Sequence, residues 1–287
     1  MNRRLATAAV VFAAVTTSSF GLSPRAFADD SNPIPVAEPV VPSQNSADAA
    51  AEGAVTKTSA DPTVRLADFK AKGILAIAKR QATIAELTAK ISSQGKDCGS
   101  NAAMVSEMAA SGASLNTVGA SLAATTDVKV AKDLYRSIFL NHRIYLLIAP
   151  KAGKVIRCDV QLHRNDALAV EGAKLQTSID EAKAKGVDTS AAQAIKDAAM
   201  AHLAGINPTV ALPGIMGLVP DKGDKVIQAS NSVALRGADA ALDGTFGAQK
   251  SVNAEFAAAR KALGAAAAIT RDSKKAAAAE TRTTRKK

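Results

Sequence analysis

The chain has 287 residues, an apolar fraction of 47% supplied largely by alanine, 3% aromatic residues and no tryptophan. Such a composition excludes a thick globular core and favours long helices in close contact, because alanine has the best helix propensity and buries little area. The formal charge of +10 is mostly terminal: Arg3, Arg4 and Arg25 stand without an acid in residues 1–28, and residues 271–287 hold seven basic residues against Asp272 and Glu280. About +2 remains for the body, which argues against a broad basic face and against sequence-specific nucleic-acid binding.

Residues 1–28 combine Arg3 and Arg4, an apolar small-residue run from Leu5 to Leu22, and Ala26-Phe27-Ala28 before two aspartates. This is the pattern of a secretory signal peptide cleaved after Ala28, and it predicts a secreted or extracytoplasmic protein. Residues 29–60, rich in Pro, Ser and Ala, show no sustained period and are expected to form a disordered spacer.

A helical domain is expected over residues 61–270. Asp61-Pro62 has the form of an N-cap followed by proline at the first helical position. Leu66, Phe69, Ile74, Ile77, Ile84, Leu87 and Ile91 then mark one face of a helix ending near Ser93. A second helix carries Met104, Val105, Met108, Leu115, Val118 and Leu122, with Gly112 and Gly119 each costing about 1 kcal/mol relative to alanine. Its methionines read as core filler.

After Thr125-Thr126-Asp127, the apolar positions Leu134, Ile138, Tyr145 and Ile148 are widened by Phe139, Ile144, Leu146 and Leu147. That breadth predicts a central helix packed on several sides. Pro150 is expected to kink this helix without ending it, since Val155, Ile156, Val160, Leu168, Leu175 and Ile179 carry the pattern on to Gly186. The uncharged apolar part, residues 144–149, is far short of the about 20 residues a membrane span needs, so no span is expected in the mature chain.

Asp188-Thr189-Ser190 begins another helix, and the prolines at 208, 213 and 220 make residues 207–225 an irregular connection. A last helix is expected from about Val226 to Ala266. Leu235, Leu242, Gln249, Phe256 and Leu263 recur every seven residues there, a coiled-coil-like seam with one polar interruption. Residues 271–287 have no large apolar residue and are expected to form a disordered basic tail. The fold class is therefore all-α, an elongated antiparallel bundle of long helices with coiled-coil-like packing.

The run Arg136-Ser137-Ile138, His142-Arg143-Ile144-Tyr145 and Pro150, following a threonine-aspartate cap, resembles a group of secreted alanine-rich helical proteins of actinobacteria with no assigned function. The resemblance spans about residues 64–265. It departs at His142, where a tyrosine is more usual, and in the three prolines between 208 and 220. It implies a helical hairpin-rich fold outside the cytoplasm and brings no catalytic residues.

Few residues suggest chemistry. Cys98 and Cys158 in an exported chain are a disulfide candidate closing a loop of about 60 residues, worth roughly 4 kcal/mol in the chain-entropy model; two separate buried thiols are the alternative. His142, His163 and His202 form no zinc-binding pair, and His142 is expected to make an interhelical hydrogen bond. The Gly244–Ser251 stretch has Gln249 where a phosphate loop needs glycine, and no G-x-S-x-G elbow occurs. Asp221 and Asp224 are too few for an EF-hand calcium loop.

The expected function is a non-enzymatic envelope interaction or spacer protein without a cofactor. Lys274, Lys275, Arg282, Arg285, Lys286 and Lys287 would contact an anionic polymer or lipid head groups. The alternative is a lipid or small-molecule module with a groove near Tyr135, His142, Arg143 and Tyr145.

Overall fold

The computed structural model describes residues 61–284. The cleavage site after Ala28 and the 29–60 spacer lie outside the described residues. Asp61 opens the first helix as its sequence predicts: its carboxylate accepts the Thr63 N–H at 2.8 Å, and Pro62 takes the first helical position.

Helix α1 (Pro62–Ser93) is followed by α2 (Asn101–Ala124) and α3 (Val128–Leu140). A π-helical turn (Ile144–Ile148) leads into α4 (Ala149–Ala184), then α5 (Ser190–Ala204). A 3₁₀ turn (Pro208–Ala211) and the short α6 (Pro213–Met216) occupy the proline-rich connection before α7 (Lys225–Thr284). The described fold is all-α.

On α1 the buried positions are Phe69, Gly73, Ile77, Arg80, Ile84, Leu87 and Ile91, at steps of three or four. Ile74, expected on this face, is 52% exposed. Gly73 takes its place because α1 comes so close to Leu122 and Ile138 that a side chain there would collide with Leu122.

Helices α1 and α2 are antiparallel. Cross-contacts link Lys70 to Ala123, Gln81 to Asn116 and Thr88 to Met108, so the partner number falls as α1 advances. Helices α4 and α5 form a second antiparallel pair, closed at Gly186 by a left-handed residue whose N–H reaches Lys183 O while Val187 N–H reaches Ala182 O.

The pair α4 and α7 departs from the expected antiparallel arrangement. Its contacts hold a nearly constant sequence separation: Arg157 to Asp243 is 86 residues, Gln249 to Gln161 is 88, and Arg260 to Glu171 is 89. These helices run parallel, because α5 and the 207–224 connection carry the chain back to the start of α4 before α7 begins. In α7 the seam residues Leu235, Leu242, Gln249, Phe256 and Leu263 are all buried, joined by Ala238, Val252 and Ala259.

Two apolar clusters result. One gathers α1, α2, α3 and the beginnings of α4 and α7; the other gathers Leu168, Leu175 and Ile179 of α4 with Ala199 and Leu203 of α5 and Val252 and Phe256 of α7. Between them lies an amide layer. Gln249 Nε2 donates to Gln161 O at 2.8 Å and to Asn165 Oδ1 at 2.7 Å, and Gln161 Nε2 donates to Leu242 O at 2.8 Å. A polar residue within an apolar seam pairs well only in one register, so this layer fixes the alignment of α4 against α7.

The last helix also extends beyond its expected end. Residues 271–284, read as disordered tail, continue α7. KKAAAAE contains neither glycine nor proline and is dominated by the strongest helix former, so nothing in it stops propagation. At about 1.5 Å per residue, the 60 residues of α7 span roughly 90 Å.

Candidate binding groove and the buried groups behind it

The expected central helix is interrupted between α3 and α4. Pro150 cannot donate a hydrogen bond, and its ring crowds the carbonyl four residues earlier. The chain resolves this before the proline: it leaves the helix at Asn141, passes through Arg143 at φ 44 and ψ 40, and re-enters through the π-helical turn. There Ile148 N–H reaches back five residues to Arg143 O at 3.3 Å, and Ala149 N–H to Ile144 O. Pro150 then sits in the first turn of α4, where its missing donor is tolerated, so the expected kink is a break upstream, at Asn141 to Arg143.

Left-handed backbone is unfavourable for arginine, and here it is held by an ion pair. Arg143 Nε and Nη2 donate to Asp221 Oδ1 at 3.1 and 2.8 Å, and the same oxygen accepts the Gly223 N–H at 2.7 Å. The break is thus tied to the loop before α7. Asp224, the other aspartate of that loop, accepts the Val226 N–H at 2.8 Å and caps α7.

The four residues expected to line a groove have different fates. Tyr135 packs edge-on to Phe139, with ring centroids 5.1 Å apart, and lies 5.9 Å from Phe69. The Arg80 guanidinium stands 4.4 Å from the Phe139 ring and 5.0 Å from that of Tyr145. Burial pushes the Tyr135 phenol up, against the opposing pull of Lys72 and Arg80. His142 is buried as well; burial lowers its pKa and the Arg80 charge lowers it further. Tyr135 and His142 therefore belong to the core, Arg143 to the loop strut, and Tyr145 alone borders an open space. The described interhelical histidine contact is made by His202, whose Nδ1 lies 2.8 Å from Glu255 of α7.

That open space is a groove of about 640 Å³ between the start of α4 and the first turns of α7. One wall is apolar: Tyr145, Leu146, Leu147, Ala149 and Pro150. The other is a stripe of α7 carrying Lys225, Gln228, Ser232 and Arg236, with Leu235 and Ala229 beside it. The carboxylates at its margins are already paired, Asp221 with Arg143 and Asp239 with Lys154 at 2.7 Å.

Behind the groove is a group that sequence reasoning missed. Lys151 is completely buried, and its ammonium donates to both Glu107 oxygens, at 2.8 and 2.6 Å, and to the carbonyls of Met216 and Leu218 at 3.2 Å each. It joins α2, α4 and the C-terminal end of α6 with the residues just after it. The signal was present, since Lys151 stands three residues after Ile148 and four before Val155 on one buried stripe.

Cys98 and Cys158 form the disulfide, with Cα atoms 6.2 Å apart. The neighbouring Asp159 accepts the Cys98 N–H at 2.8 Å and Asn101 Nδ2 at 2.9 Å, so covalent and polar links fasten the α1–α2 loop to α4. Burial raises the Asp159 pKa, while those two hydrogen bonds pull it back. Among the described residues no group of three or more His, Cys, Asp or Glu side chains could hold a metal ion, and no helix is long and apolar enough to cross a membrane.

Of the six basic residues expected to meet an anionic partner, Lys274, Lys275 and Arg282 are exposed on α7, and Lys274 Nζ donates to Lys185 O at 3.1 Å. Arg285, Lys286 and Lys287 lie outside the described residues. No protein-family model, curated protein or solved structure matches the chain.

Proposed function

We propose that this chain is an exported, non-enzymatic helical protein that acts at the cell envelope as an interaction or spacer element. Its contact with an anionic wall polymer or lipid head groups is made through the basic end of α7. The observation that carries this reading is the form of that end. From Arg271 to Thr284 every side chain is exposed, and Arg271, Lys274, Lys275 and Arg282 face only Asp272 and Glu280. A helix carried past its packing partners with a net positive charge presents that charge to solvent, where an anionic surface can attract it within about a Debye length of 8–10 Å.

Three further features support the reading. The N-terminal segment has the pattern of an export signal, and the Cys98–Cys158 disulfide suits an oxidising compartment. Buried residues on α7 spaced by three, four or seven support coiled-coil-like packing, which suits a spacer. The buried Lys151 ammonium and the Arg143 guanidinium are both committed to struts between segments, a structural use of charge. The resemblance to secreted alanine-rich helical proteins supports a place outside the cytoplasm and is silent on the role.

The test is fractionation of cells producing the full chain or a chain ending at Thr270. The proposal expects the full chain with the envelope and the shortened one in the medium. An equal distribution of the two overturns it.

A further inference from the structure

We propose that the groove between α4 and α7 binds a small anionic amphiphile, a medium-chain carboxylate in the simplest case. Its carboxylate would sit at Arg236 and its hydrocarbon against the wall formed by Tyr145, Leu146, Leu147 and Pro150. The inference stands apart from the proposed role of the basic helix end, which lies at the opposite end of α7.

The two walls differ in chemistry. Leu146, Leu147 and Pro150 offer no charged group, whereas Gln228, Ser232 and Arg236 follow one another at steps of four, one per turn, along the facing side of α7. A ligand seated between them meets carbon on one side and donors on the other. The volume of about 640 Å³ lies within the roughly 300–1,000 Å³ typical of small-molecule clefts.

Charge complementarity gives the sign of the ligand. Asp221 and Asp239, the carboxylates at the groove, are neutralised by Arg143 and Lys154. Lys225 and Arg236 have no carboxylate partner among the described residues. Arg236 Nη1 donates to Ser232 Oγ at 3.1 Å, which turns its guanidinium along the groove and leaves further N–H groups for an oxygen anion. Lys225, about 16 Å further along the helix axis, adds to the positive potential at the other end. A cation would meet only carboxylates that are already paired, and a neutral alkane would leave the polar wall unmatched.

The experiment is calorimetric titration of the chain from Asp29 onward, the form left by the proposed cleavage, with dodecanoate below its micellar concentration. Dodecanol and inorganic phosphate serve as the two partial probes. The proposal expects saturable 1:1 binding of dodecanoate, weakened about tenfold or more in Arg236→Gln and in Ser232→Trp, the latter filling the groove. Dodecanol should bind at least about tenfold more weakly, and phosphate still less. Arg236 is exposed and Ser232 lies at the groove surface, and matching circular dichroism would establish that both variants are folded. Absence of saturable dodecanoate binding, equal binding by the variants, or equal binding of dodecanol overturns the proposal.

Discussion

The ammonium of Lys151 is wholly buried, yet its partner Glu107 keeps 26% of its side chain exposed. Removing either member therefore has unequal consequences. Glu107→Ala strands a buried cation with only the Met216 and Leu218 carbonyls as acceptors, and should cost about 3–5 kcal/mol. Lys151→Met replaces the buried charge with a chain of similar length and leaves a carboxylate that water can reach, so its cost should be smaller by at least about 1 kcal/mol. Urea unfolding of both variants checks the order, and an equal or reversed order contradicts this account of the strut.

Two glycines in the helices should respond oppositely to alanine. At Gly73 a Cβ would strike Leu122, and Tyr135 and Ile138 are within 3.5 Å, so Gly73→Ala should lose about 1–3 kcal/mol despite its better helix propensity. At Gly244 a Cβ meets nothing within 4 Å, and Gly244→Ala should gain about 0.5–1 kcal/mol. Thermal unfolding by circular dichroism reads both. Stabilisation at Gly73 would mean that α1 does not pack so closely on α2.

The pH dependence of stability has contributions of opposite sign from two groups displaced in opposite directions. His142 has its pKa lowered below 6.5, so as pH falls through 6.5 the unfolded chain takes the proton first and stability is lost towards the lower folded value. Asp159 is raised above 3.8, so the folded chain keeps that proton longer; stability from this source is present below 3.8 and is lost as pH rises through the raised value. Accordingly His142→Phe should flatten the decline in stability just below pH 6.5. Asp159→Asn should be neutral or stabilising at pH 7, because an amide can still accept from Cys98 N–H, and a turned Asn101 amide can offer its unpartnered Oδ1. Urea midpoints at pH 7.5, 5.5 and 3.5 test both; a large loss in Asp159→Asn at pH 7 would contradict the second.

Much of the fold was legible because it depends on local signals. Asp61-Pro62 capped a helix, Gly186 closed one, and the seven-residue spacing of Leu235, Leu242, Gln249, Phe256 and Leu263 named the buried seam of α7. The errors arise where the decisive partner is distant in sequence. Ile74 and Gly73 are neighbours, and only the closeness of Leu122 decides which one faces inward. The direction of α7 against α4 depends on where the 207–224 connection returns the chain, which no helical period encodes.

The groove was legible only in part. Tyr145 was named, but Tyr135 and His142 were drawn into the core by Phe69, Phe139 and Arg80, contacts spanning up to 66 residues of sequence. The α7 wall, with Ser232 and Arg236, has nothing in its spacing that separates it from a solvated helix face. Lys151 was missed because lysine usually reads as exposed, even when its spacing places it on an apolar stripe.

At the end of α7 the side chains from Arg271 to Thr284 are all exposed, so their removal leaves the buried clusters intact. The most direct test of the role proposed for this end is binding of the chain from Asp29, with and without residues 271–287, to anionic phosphatidylglycerol vesicles and to polyphosphate, at about 50 and about 300 mM salt. The intact chain should bind at least one of them with an affinity that falls steeply with salt, and the shortened chain should bind about tenfold or more weakly while unfolding at the same urea concentration. Equal binding by the two chains, or binding indifferent to salt, would contradict that role.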